Sequence, residues 1–146
     1  MSTPALDLTA LTVGQELARR EHRLSRDTLV RYAGASGDFN PIHYNDAVAT
    51  AAGLPGVIAH GMLTMGTAIT GLLEEIADPG LLRSYSTRFT NPIEVPPTGE
   101  AVLEVVVVVG QIDEDDRTAR VDLTATVEGT AVLGRARAVI ALPEQA

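Results

Sequence analysis

Two hydrophobic periods divide the chain. From Gly61 to Ile76 the apolar residues Met62, Leu63, Met65, Ala68, Ile69, Leu72, Leu73 and Ile76 recur at the spacing of a helix. Only Thr64, Thr67 and Thr70 interrupt them, so this helix is apolar almost all round and reads as buried. The threonines are expected to bond back to helix carbonyls. Gly66 and Gly71 each weaken such a helix by about 1 kcal/mol relative to Ala, which suits a sheet pressing closely on it. From Arg83 the period falls to two. Tyr85, Thr87 and Phe89 share one face, with Ser86 and Arg88 on the other. Ala101 to Val109 is nearly continuous β-branched sequence, the mark of a central strand covered on both sides. Thr118 to Glu128 alternates with Ala119, Val121, Leu123, Ala125 and Val127 inward. A last strand runs from Ala131 to Leu142 with Val132, Gly134, Ala136, Ala138 and Ile140 on one parity.

Ahead of the apolar helix, Val13 to Leu24 reads as a polar edge strand. Ser25 caps a helix through about Ala35 whose apolar side is Leu24, Leu29, Val30 and Ala33, closed by Gly34 and Gly37. Asp46 to Ala52 makes a short helix capped by Asn45 or Asp46. The pattern predicts an α+β fold, one long central apolar helix wrapped by a curved antiparallel β-sheet. Gly110, Gly129 and Gly134 are available for the bulges that curvature needs. Residues 1–9 read as a flexible tail and residues 10–143 as one domain.

At 146 residues and 45% hydrophobic content, the chain supports one core and is too apolar for wholesale disorder. Aromatics are only 3%, so Val, Leu, Ile and Ala must build that core. A formal charge of −8 argues against nucleic acid or an anionic membrane as the main partner, though a local Arg cluster could still receive a phosphate. With no Cys there is no disulfide, thiolate metal site or Cys nucleophile. The first residues lack the pattern of a signal peptide. Gly53 to Leu73 contains Pro55, His60 and five Gly, so it reads as buried and not membrane-spanning; the cytoplasm is the expected location.

Chemistry concentrates between Tyr32 and Met65. Asp38 and His43 are five residues apart, which on a helix would leave them roughly 140° apart around the axis. Pro41 prevents that helix, so the segment is a loop able to turn both side chains to one point. A carboxylate and an imidazole facing one substrate suit general acid–base chemistry, and Asn40 can pin the loop. Gly61, opening the buried helix, offers unpaired amides that a carbonyl oxygen could approach as an oxyanion site. The residues alone leave other readings open. The Asp–His pair can be a structural hydrogen bond. Ser36 lacks the strand–Ser–helix elbow of a nucleophile. Asp38, His43, Asp46 and His60 could ligate a metal, but without the spacing of a metal motif. His60 reads as a packed residue ordering the helix start, and His22 as solvated among Arg.

Ser36-Gly-Asp-Phe-Asn-Pro-Ile-His43, Ala49, Ile58-Ala-His-Gly-Met-Leu63 and Arg88-Phe-Thr-Asn-Pro92 together resemble the MaoC-like (R)-specific hydratase/dehydratase family of the hot-dog fold. Within it the likeness is greatest to the actinobacterial (3R)-hydroxyacyl-ACP dehydratase subunit that carries the catalytic residues. The resemblance implies that Asp38 and His43 are a catalytic dyad, that Asn40 orders the loop and that the Gly61 amide holds a thioester oxygen. It implies reversible hydration of a trans-2-enoyl thioester of CoA or ACP, with both proton transfers on one face and no cofactor or metal. His43 would exchange the proton at Cα and Asp38 would handle the water, with the reverse assignment open. A dimer follows from the same likeness, either a homodimer or a heterodimer with a second hot-dog subunit. Arg83, Arg88, Arg117, Arg120, Arg135 and Arg137 become candidate contacts for a pantetheine phosphate or an acidic carrier protein. One departure is that some relatives carry a Ser along the helix where this chain has Ile69, leaving Thr67 or Thr70 to replace it. The competing functions are a hot-dog acyl thioesterase and a non-catalytic acyl-binding subunit.

Overall fold

The computed structural model describes residues 6–144. Its strands are β1 (Glu16–Leu24), β2 (Leu82–Phe89), β3 (Ala101–Asp113), β4 (Thr118–Val127), β5 (Thr130–Ala131) and β6 (Leu133–Ala141). Its helices are α1 (Arg26–Ser36), α2 (Asp46–Ala51) and α3 (Gly61–Ile76), with short 3₁₀ turns at Pro41–His43 and Pro79–Leu81. The strands form one antiparallel sheet in the order β1-β3-β4-β6-β2, and β5 pairs with β4. The long helix α3 lies against β1, β3 and β4. Leu72 and Ala68 of α3 are fully buried with Leu103, Val105, Val107, Val121 and Ile140 of the sheet, the Val/Leu/Ile/Ala core that the composition requires. Register shifts punctuate the ladder, one of them at Gly110 between β3 and β4. Of the expected tail, residues 1–5 lie outside the described residues. Leu6 and Leu8 pack against the core.

Several local readings change. Val30 is 62% exposed, because α1 buries only Leu29 and Ala33, one turn apart, and Val30 stands 100° round from Leu29. The outer face of β3 is only partly covered: Val102, Val106 and Val108 are half-buried and Glu104 is exposed, so the run of valines does not sit between two layers of this chain. The strand expected from 131 to 142 is broken after Ala131, and Arg135 takes a positive φ of 48° beside a register shift opposite β2. With Val132 in the break between β5 and β6, both it and Leu133 are buried, neighbours that strict alternation would separate. His22 is half-buried on the inward parity of β1 with Leu24, and its Nε2 has no partner, so it is not a solvated residue.

The far end of α3 is closed tightly. A Cβ on Gly71 would stand 3.0 Å from the Arg20 stem and 3.4 Å from Ala18, the close approach expected of that glycine. Gly66, by contrast, has nothing within 4 Å of its Cβ position. Arg20 then reaches along the helix to Glu74 at 3.2 Å and Glu75 at 2.7 Å. The two open sheet edges differ as well. β1 carries Glu16, Arg19, Glu21 and Arg23, paired among themselves at 2.8 and 2.7 Å, whereas β2 presents the uncharged run Ser84-Tyr85-Ser86-Thr87. Among the described residues no helix is long and apolar enough to cross a membrane.

Candidate active site

The loop after α1 is built from short-range bonds. Gly37 adopts a left-handed φ of 76° and returns its N–H to Ala33, which ends the helix and turns the chain. Asp38 N–H then donates to Ser36 Oγ (3.1 Å), Asn40 N–H to Asp38 Oδ1 (3.2 Å) and Ile42 N–H to Asn40 Oδ1 (3.2 Å). Pro41 opens a single 3₁₀ turn, where its missing N–H costs nothing, and His43 N–H closes that turn on Asn40 O at 3.0 Å. Asn40 therefore orders the loop through its own side chain and backbone.

His43 is 8% exposed, and its Nδ1 lies 2.7 Å from the Ile58 carbonyl. A carbonyl only accepts, so Nδ1 carries a proton, and in the neutral imidazole Nε2 then presents the lone pair. That Nε2 stands 4.0 Å from Asp38 Oδ2. The gap is too long for a direct hydrogen bond, but one oxygen at about 2.8 Å from each atom fits between them. The Asp38 side chain is 53% exposed and open to a ligand.

His43 and Gly61 line a cleft of about 290 Å³ together with Thr64, Phe89, Asn91 and Val132. No side chain caps the N-terminus of α3, so the first-turn amides at Gly61 keep their donor capacity on this wall. The room left by the missing Cβ of Gly61 is not empty: the tip of the Phe89 ring lies 3.1 Å from that position. The ring thus occupies the space over Gly61 that a side chain would fill. Of the three helix threonines, Thr64 is the one in the cleft, its Oγ1 donating to His60 O at 3.4 Å, while Thr70 donates to Thr67 O at 2.8 Å. Periodicity treated the three alike and missed Thr64. Phe89 and Asn91 were visible only within the Arg88–Pro92 string. A larger hollow of about 420 Å³, lined by Leu8, Leu11, Arg117 and Leu142, holds none of these acid–base residues.

His60 is packed, at 1% exposure, as expected for a residue ordering the helix start. Its ring stacks on His43 with centroids 3.8 Å apart and planes 22° apart, and meets Tyr32 edge-on at 4.7 Å. Its Nε2–H donates to the Asp38 carbonyl at 3.1 Å, and its Nδ1 is buried with no partner. Burial pushes the His60 pKa below the ordinary imidazole value; the hydrogen bond to Asp38 opposes this and the neighbouring His43 adds to it. Ligand atoms of Asp38, His43 and His60 lie within 4.8 Å of one another. The stack makes this cluster a poor chelate, because imidazole lone pairs lie in the ring planes and these two planes do not converge near either nitrogen. Asp46 is elsewhere, held by Arg26 at 2.8 Å. Among the arginines, Arg120 and Arg137 approach Asp122 at 3.0 and 3.7 Å, and Arg117 pairs with Glu144 at 3.2 Å. Arg83, Arg88 and Arg135 have no carboxylate partner among the described residues.

The family model for a MaoC-like domain matches residues 9–129. The chain belongs to the MaoC-like dehydratase family. Its fold is correspondingly the hot-dog fold: a MaoC-like dehydratase of known structure superimposes with a TM-score of 0.89 at 38% identity, over 97% of this chain and 43% of that one. The (R)-hydratase from Aeromonas caviae involved in PHA biosynthesis gives a TM-score of 0.79 at 27% identity, over 92% of this chain and 98% of the other. In sequence, the (R)-specific enoyl-CoA hydratase of Aeromonas caviae is 30% identical over 92% of this MaoC-like chain and 97% of its own length. The 3-hydroxyacyl-thioester dehydratase X of Mycobacterium tuberculosis is 41% identical over 52% of this chain, a match covering 26% of that protein. Several curated relatives are thus much longer than this chain, whose match spans about a quarter of their length or less.

Proposed function

We propose that the chain is a hydro-lyase that adds water to trans-2-enoyl thioesters and removes it from (3R)-hydroxyacyl thioesters, by Asp38/His43 acid–base catalysis. The carrying observation is the 4.0 Å separation of Asp38 Oδ2 and His43 Nε2, which lets both reach one water oxygen, with His43 and Gly61 lining the same cleft. The names of its relatives supply the substrate class.

With an Asp38 carboxylate and a neutral His43, the dyad starts with two acceptors and no acidic proton. The proton delivered to Cα during hydration must then come from the water itself. One member of the dyad takes it as the oxygen bonds Cβ, and passes it to Cα on the same face. The other member orients the water. Nδ1–H bonded to the Ile58 carbonyl lets His43 accept at Nε2 and carry a positive charge while it holds the proton. The Gly61 amide, at the positive end of α3, stabilises the enolate-like oxygen of the thioester that forms between the two steps. No cofactor or metal is needed for any of these transfers.

The chain acts as a dimer joined through β2. An open strand edge invites pairing, and folded proteins blunt it with charge. β1 is guarded by its Glu/Arg ladder, whereas the exposed Arg83 and Arg88 of β2 flank an uncharged stretch from Ser84 to Thr87, and the strand ends at Phe89, 56% exposed beside the cleft. Either a second copy or a related hot-dog subunit would extend the sheet there and cover the cleft mouth.

The test is hydration of crotonyl-CoA and longer enoyl thioesters by the purified chain, with mass measured in solution. Asp38→Asn and His43→Ala are each expected to lose at least about 100-fold in kcat/KM, the low end for an acid–base group, with an unchanged circular dichroism spectrum. Undiminished turnover in both variants overturns the assignment. Release of free thiol from a saturated acyl-CoA, without hydration, replaces it with a thioesterase.

A further inference from the structure

We propose that His60 is the positioning residue of the dyad, one buried imidazole that fixes both Asp38 and His43 while touching no substrate. This rests on the reading of Asp38 and His43 as the reacting pair. His60 is 1% exposed, whereas the Asp38 side chain is 53% exposed and His43 lines the cleft. It grips the two members through different parts of one ring. The ring face lies 3.8 Å from that of His43, and Nε2–H holds the Asp38 backbone carbonyl at 3.1 Å.

The ring is itself immobilised. His60 is the N-cap of the buried helix α3, its carbonyl accepts from Thr64 N–H at 3.1 Å, and Ala59 before it donates to Ile93 O at 2.8 Å. Tyr32 meets its edge from α1. The loop bearing the dyad is otherwise tied to the body by Ile58, whose N–H donates to Ile42 O at 3.2 Å and whose carbonyl takes His43 Nδ1–H. Ile58 to His60 thus form one mount. Ile58 sets the ring plane and tautomer of His43, and His60 adds the spacing between His43 and the Asp38 main chain.

The arrangement also needs His60 neutral. With Nε2–H committed to Asp38 O, the lone pair sits on the buried Nδ1, which has no protein partner. A protonated His60 would place a second cation against His43 at the moment His43 carries the proton. A neutral ring at stacking distance instead offers its π face to that charge.

Three substitutions separate the parts. His60→Leu removes both contacts at similar volume, His60→Gln restores only the N–H toward Asp38, and His60→Phe restores only the stacked ring. With crotonyl-CoA as substrate, the expected result is a kcat reduced about 10- to 100-fold in the Leu variant with KM changed by less than about threefold, and partial recovery in Gln and Phe. A purely structural role would lower melting temperature and soluble yield without this split. The proposal is overturned if the Leu variant keeps kcat within about threefold of wild type while Asp38→Asn and His43→Ala are inactive. If the two dyad variants are themselves active, the parent reading fails instead. Should the Leu variant not fold, wild-type kcat in both the Gln and Phe variants overturns the proposal equally.

Discussion

The two ends of α3 are built to opposite rules, although one helix carries both. At its C-terminal end a glycine brings the sheet into contact, Arg20 lies along the groove, and two glutamates finish the helix with ion pairs. At its N-terminal end another glycine leaves amides uncapped, an aromatic ring rests on it, and three imidazole or carboxylate groups crowd within 4.8 Å. Gly71 serves packing, because its missing side chain is replaced by protein on a buried face. At Gly61 the space is filled by the tip of the Phe89 side chain, which is 56% exposed. The same residue type on the same helix therefore has different meanings, set by how exposed its neighbour is.

Substitutions at these two glycines should pull the ends apart. Gly71→Val has the larger effect, about 2–3 kcal/mol of lost stability, because Ala18 and the sheet behind it cannot retreat. Urea unfolding measures it, and the specific activity of the folded fraction should stay at the wild-type level. A stable but inactive Gly71→Val protein would break the comparison. Gly61→Ala should do the reverse, cutting kcat/KM about tenfold, near 1.4 kcal/mol, by crowding the amide while the melting temperature hardly moves. Adding Phe89→Ala to it should restore part of that rate, since the displaced ring is the source of the crowding. The smallest effect concerns pH. Burial lowers the folded pKa of His60 from its ordinary 6.5, so below that pH the unfolded chain binds the proton more readily than the folded one. This contribution to stability is complete above pH 6.5 and is lost as pH falls toward the lowered value. Thermal melts at pH 7.5 and 5.5 should differ less for His60→Gln than for wild type. An equal difference would remove His60 from the acid response.

The sheet and helices were legible because their periods are long and unbroken. α3 spans Gly61–Ile76 as its apolar stripe required, and the alternation around Val121 and Leu123 marked the inner face of β4. Where the backbone departs from a regular strand, alternation failed: Val132 lies in the break between β5 and β6 and is buried with Leu133, and the positive φ at Arg135, which no side-chain pattern announces, falls between the buried Leu133 and Ala136. At the site, Pro41 sufficed to argue that Asp38 and His43 converge. The part played by His60 was not legible. A histidine before a helix looks like a cap in any sequence, and only the fold reveals that its ring faces a second histidine across 17 residues of chain. The place of Phe89 over Gly61 was not legible for the related reason that parity gives a face but not a neighbour.

The way the dyad loop is fastened has a consequence for hydrogen exchange. Its internal bonds, from Asp38 through Asn45, are nearly all local and solvent-facing, whereas its attachment to the body passes through Ile58 and His60. Such a segment can detach as a unit without disturbing the sheet. The amide of Ile58, whose proton is covered while Ile42 is docked, becomes a native label on the Asp38–His43 loop. Its exchange rate measures the free energy of opening the site separately from the stability of the fold, and a ligand that occupies the cleft should slow it while leaving the amides of β3 and β4 unchanged.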